Sequence, residues 1–135
     1  MIDVEVFGVG AAADGPDREE VARLCRLAAG GLGVSDGHVA VEFVDAARIA
    51  ELNDEYRGKR GPTDVLSFPI DGPGEAAGSG GVPRELGDIV ICPEHTTDIP
   101  EAVVHGMLHL LGMDLEVDSG EMLALQRALM AEERG

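Results

Sequence analysis

The sequence has no tryptophan, one tyrosine and three phenylalanines in 135 residues. Aromatic side chains therefore cannot fill its interior. Hydrophobic residues still make up 44%, enough for a packed core rather than wholesale disorder. That core must be aliphatic: Val, Leu, Ile, Ala and Met. No apolar run approaches the ~20 residues of a membrane-crossing helix, so no membrane partner is expected. Residues 1–9 lack the basic start and continuous apolar stretch of a signal peptide. Two cysteines, Cys25 and Cys92, supply neither a disulfide framework nor a CxxC metal pair. Both sit in apolar patterns that suit buried, inert thiols. These absences point to a cytoplasmic protein. Its length of 135 residues fits a single domain over 1–135.

Basic residues are also scarce. Ten Lys and Arg face 26 Asp and Glu, a net charge of −16. Non-specific nucleic-acid binding needs cations that neutralise phosphates, so general DNA binding is not expected. Most of the acidity reads as a solubility or salt adaptation of the surface. Residues 85–135 hold only 2 basic against 11 acidic side chains. The one dense basic island is Arg57, Lys59 and Arg60.

Ile2, Val4 and Val6 alternate with Asp3 and Glu5, the pattern of a half-buried strand. After the turn at residues 14–17, Val21, Leu24 and Leu27/Ala28 recur at helical spacing, and Gly30-Gly31 stops that helix. Val39, Val41 and Phe43 mark a second strand. Asp45 is placed to cap a helix in which Ile49, Leu52 and Tyr56 share a face. Asp64 to Phe68, stopped by Pro69, and Leu86 to Cys92 read as two further strands. Residues 71–83, rich in Gly and Pro, connect them. An apolar helix runs from about Pro100 to Leu111 and ends at Gly112. A last helix begins near Asp118 or Ser119, with Met122, Leu125 and Leu129 on one face. The order β-α-β-α-β-β-α-α predicts an α+β (α/β layered) domain, a small four-stranded mixed sheet covered by helices.

The chemistry concentrates in two stretches. His105 and His109 lie four residues apart on the apolar helix, so both imidazoles project from one face. Two readings fit: one metal ion held between the rings, or two hydrogen-bonded core histidines. Gly112 suits a chain reversal. A third ligand from beyond it would leave a fourth position open for water, as in a catalytic zinc site. In the second stretch, Arg57, Lys59 and Arg60 end a helix. They can clamp a phosphodiester or complement the helix dipole. Gly106 follows His105, where an HExxH peptidase has its glutamate base, so a protease is disfavoured.

Together these stretches resemble the YbeY family of ribosomal-RNA maturation endoribonucleases. The family pattern N-x-x-Y-R-G-x-x-x-P-T-D-V-L-S-F-P is matched by Asn53, Tyr56, Arg57, Gly58 and Pro62 to Pro69. Its L-G-D-I-V-I-C is matched by Leu86 to Cys92. Its H-G-x-L-H-L-x-G-x-D-H is matched by His105, Gly106, Leu108, His109, Leu110, Gly112 and Asp114. The resemblance implies a single-domain fold with one zinc ion held by three histidines. It implies a metal-dependent, single-strand-specific endoribonuclease that matures the 3′ end of small-subunit ribosomal RNA and serves ribosome quality control. The implied partners are ribosomal RNA and the small ribosomal subunit. His105 and His109 carry over as metal ligands, and Arg57 as the arginine that acts on the RNA phosphate.

Two departures stand out. Leu115, which has no donor atom, occupies the place of the third histidine. Asp114, Glu116, water or His95 is left to fill that coordination position, and a ribosome-binding homologue without catalysis is the alternative reading. The second departure is length: only twelve residues separate Cys92 from His105, short for the family.

Overall fold

A computed structural model describes residues 2–8, 17–70, 85–113 and 120–134. Alternating residues build strands β1 (Ile2–Phe7), β2 (Gly37–Phe43), β3 (Val65–Pro69) and β4 (Glu85–Ile91). Helices α1 (Arg18–Gly31), α2 (Ala46–Arg57), α3 (Ile99–Leu110) and α4 (Glu121–Arg134) are accompanied by a 3-10 turn at Pro93–His95 among the described elements. The sheet order is β1-β2-β4-β3. β1, β2 and β4 run parallel, and β3 closes the edge antiparallel to β4. The sheet is therefore mixed, as the sequence predicts. The expected 71–83 connection and the expected start of the last helix at 118–119 lie outside the described residues.

Side-chain alternation sorts the strands into two faces. Val39, Val41, Phe43, Ile89 and Ile91 join α1, α3 and α4 in the larger aliphatic cluster. Leu66, Val90 and Cys92 turn the other way and meet Val44, Ile49 and Leu52 beneath α2. Aspartates start both early helices: Asp17 accepts from the Glu20 amide at 2.8 Å, and Asp45 from the Arg48 amide at 2.8 Å. Gly58, at φ 65°, ends α2. Gly31 is still helical, so α1 runs through the glycine pair expected to stop it. Pro69 belongs to β3, tolerated because β3 is an edge strand.

One expectation fails locally. Tyr56 has the same helical phase as Ile49 and Leu52, yet it is 61% exposed. The cluster beneath α2 stops at Leu52 and Phe68, so the last helical turn finds only the Phe68 ring. The two centroids lie 5.1 Å apart, edge to face.

His38 spans three strands. Its Nε2 lies 2.6 Å from Glu5 of β1, and its Nδ1 meets Glu85 of β4. Burial alone would lower its pKa, but the two carboxylates outweigh burial and raise it. The pair's contribution to stability is thus complete below the unfolded value of ~6.5 and lost as pH rises through the higher folded value. The stability advantage of the wild type over His38→Gln, read by urea denaturation, should shrink as pH rises above about 6.5. An advantage that stays constant into the alkaline range would contradict the bridge from His38 to Glu5 and Glu85.

Helix α3 lies against β4 at Gly106, where an added Cβ would sit 2.7 Å from Ile89 Cγ2. Ile89 is fully buried and has nowhere to retreat. Gly106→Ala gains at most ~1 kcal/mol of helix propensity and overpacks the contact. A net loss of about 1–2 kcal/mol is expected by urea denaturation. A variant as stable as the wild type would show that the helix has room to lift.

Candidate metal centre and its cleft

The two histidines owe their placement to the burial of α3. Asp98 caps the helix, its Oδ1 accepting from the Glu101 amide at 3.1 Å, and Pro100 occupies the first turn, where its missing N–H costs nothing. Val103, Val104, Met107, Leu108 and Leu110 are buried. The remaining stripe carries Glu101, His105 and His109, all half-buried. The two rings are edge to face with centroids 4.6 Å apart, and their Nε2 atoms lie 3.1 Å apart. Two imidazole nitrogens bound tetrahedrally to one zinc at ~2.0–2.1 Å would be about 3.3 Å apart. The pair therefore fits a shared metal ion, and the donors are the type zinc takes.

Helix α4 supports this stripe. Gln126 Oε1 lies 2.7 Å from His105 Nδ1, and Gln126 Nε2 donates to Glu101 Oε1 at 3.0 Å. Farther along, Arg134 donates to Asp98 Oδ2 at 2.6 Å. Burial pushes the Asp98 pKa up, but Arg134 and the Glu101 amide outweigh it, and the net shift is downward. Neither Gln126 nor Glu101 stands out in the sequence motifs. Gln126 sits in helical phase with Met122, Leu129 and Met130, all buried. A polar residue on the apolar stripe of a helix was the available signal; the sequence pattern had placed Leu125 there instead, and Leu125 is only half-buried.

His105 opens on a cleft of about 310 Å³ whose walls include Asp64, His95, Thr96, Asp98 and Glu101. Strand β3 reaches it through Val65 and is tied to α3 by Ser67 Oγ, which donates to the Gly106 carbonyl at 3.2 Å. The Cys92 amide donates to the Asp64 carbonyl at 2.9 Å, which fixes Asp64 at the rim. His95 is an exposed residue of the 3-10 turn and lines this same cleft. Among the described residues, no three His, Cys, Asp or Glu side chains converge to hold a metal. Asp114, Leu115 and Glu116 lie outside the described residues.

Arg57 is exposed at the end of α2 and is not among the residues that line the cleft beside His105. The turn that follows it is held by Asn53, whose Nδ2 donates to the Gly61 carbonyl at 2.9 Å. Both cysteines are buried. Desolvation pushes the Cys25 thiol up to about 12, which makes it unreactive.

The sequence comparisons agree with one another. A sequence model described as Endoribonuclease YbeY matches residues 17–133. A protein named Endoribonuclease YbeY from Salinispora tropica is 41% identical, the match covering 87% of this chain and 88% of that one. Its namesake from Bacillus pumilus is 38% identical over 83% and 82%, and that from Rubrobacter xylanophilus 40% identical over 87% and 85%. A Thermotoga maritima protein solved in solution has a similar fold, with a TM-score of 0.53, 26% identity and coverage of 97% of this chain and 91% of its own.

Asp98 ties the start of α3 to the end of α4, so its loss should loosen the support behind His105. Asp98→Ala is expected to cost about 1–2 kcal/mol near neutral pH. A depressed carboxylate stabilises above its unfolded pKa of ~3.9 and loses that contribution as pH falls through the lower folded value. The gap between variant and wild type should therefore narrow only in strong acid. A gap that narrows already near neutral pH contradicts the assignment.

Proposed function

The chain belongs to the Endoribonuclease YbeY family, and on that premise we propose that it is a metal-dependent endoribonuclease for single-stranded RNA. Its place is the maturation of the 3′ end of small-subunit ribosomal RNA and ribosome quality control, with ribosomal RNA and the small ribosomal subunit as partners in the cytoplasm. No described helix is long and apolar enough to cross a membrane. The observation that carries the proposal is the pair of Nε2 atoms 3.1 Å apart, with His105 at the wall of a cleft.

His105 and His109 would hold one zinc ion through neutral imidazoles, and Asp114, Glu116 or water would take the place that Leu115 cannot. When bound, zinc supplies a Lewis acid that brings the pKa of a coordinated water toward ~7 and polarises the scissile phosphate. Arg57 pairs with no carboxylate among the described residues, so its guanidinium is available to the phosphate oxygens as charge develops on them. Asp64, Asp98 and Glu101 make the cleft acidic. RNA is therefore drawn by the basic turn Arg57, Lys59 and Arg60 and not by the cleft wall. The space at Gly106 supports a hydrolase other than an HExxH peptidase, because a glutamate there would collide with Ile89.

A second reading is favoured by Leu115 and by the acidic cleft: a homologue that keeps the fold, binds the ribosome and cleaves nothing. Single-stranded RNA, with and without added zinc, separates the two. Cleavage that depends on zinc and falls about 100- to 1,000-fold in Arg57→Ala supports the enzyme. Cleavage that survives chelation refutes the metal dependence, and intact RNA at saturating zinc supports the binding protein. Metal content after dialysis should rise in Leu115→His over the wild type. Equal, stoichiometric zinc in both forms would refute the two-histidine account.

A further inference from the structure

We propose that Gln126 is a positioning residue: together with Glu101 it locks His105 in the tautomer whose Nε2 is ready for a metal. The proposal rests on the reading of His105 and His109 as ligands, but its geometry belongs to the metal-free protein.

Gln126 is only 6% exposed, and a primary amide taken out of water needs its hydrogen bonds met. Glu101 and His105 are one turn apart on α3, and Gln126 reaches both from α4. An ionised carboxylate only accepts, so the amide nitrogen must face Glu101 Oε1, at 3.0 Å. The amide oxygen then faces His105 Nδ1 at 2.7 Å. That oxygen also only accepts, so Nδ1 carries the hydrogen. Flipping the amide would set its oxygen against a carboxylate, which excludes the reverse assignment. In the neutral ring, His105 Nε2 is therefore left with a lone pair.

The consequence falls on the partner ring. His105 Nε2 and His109 Nε2 are 3.1 Å apart, within hydrogen-bond distance. With the lone pair on His105, the hydrogen between the rings belongs to His109. His105 thus meets a metal without rearrangement. His109 must give up its Nε2 hydrogen to bind through that atom. Hydrogen bonds behind a metal-binding histidine commonly change affinity by about 10- to 100-fold, and Gln126 supplies one to His105.

The test uses the full chain, labelled with nitrogen-15 and metal-free, in long-range proton–nitrogen spectra that show which ring nitrogen carries hydrogen. His105 should be protonated at Nδ1 and His109 at Nε2. Zinc should leave the His105 pattern in place and remove the hydrogen from His109 Nε2. Gln126→Leu should release His105 into a mixture of tautomers and weaken zinc binding about 10- to 100-fold. Glu101→Gln combined with Gln126→Glu reverses the order of carboxylate and amide, keeps an acceptor at Nδ1, and should restore both the tautomer and the affinity. A merely structural role for Gln126 would move neither tautomer. His105 protonated at Nε2 in the wild type overturns the proposal, whether or not the variants fold. Wild-type tautomers as expected, with neither ring responding to zinc, would instead remove the metal reading and with it the purpose assigned to Gln126.

Discussion

Helix α3 can lie directly on β4 only because Gly106 presents no side chain to Ile89. That close approach fixes the rotation of the helix about its axis. Val103, Val104, Met107, Leu108 and Leu110 then turn inward, each contributing ~1.5–3 kcal/mol when fully buried. The narrow stripe left over is the one that carries Glu101, His105 and His109. The imidazole pair is thus held by aliphatic burial, with polar contacts refining what burial has already aimed. The same approach brings β3 to the site, through Ser67 and the Gly106 carbonyl.

Charge is divided across the molecule in a way that constrains how RNA meets it. The cleft beside His105 is walled by carboxylates, while Arg57, Lys59 and Arg60 sit on a separate turn at the end of α2, steadied by Asn53. RNA held by the turn would meet carboxylates on the cleft wall, and a divalent cation bound beside them would offset that repulsion.

Much of this was legible in the sequence, for identifiable reasons. Period-two alternation in residues 2–6 and 39–43 named two strands, and Asp45 named a helix start, because both signals are local. HxxxH named the imidazole pair because a helix fixes which residues share a face. Tyr56 misled because helical phase says nothing about where the neighbouring layer ends. Gln126 went unread because its partners lie on another helix, and an apolar stripe containing one polar residue looks like a lapse until those partners are seen. That Arg57 does not line the cleft depends on the path of the chain, which no local pattern encodes.

The account turns on whether both imidazoles bind one ion. X-ray absorption at the zinc edge counts imidazole ligands directly in the zinc-loaded protein. Two are predicted for the wild type and one for His109→Ala. The same count in both proteins, or a zinc ion surrounded by oxygen alone, would contradict the proposed centre.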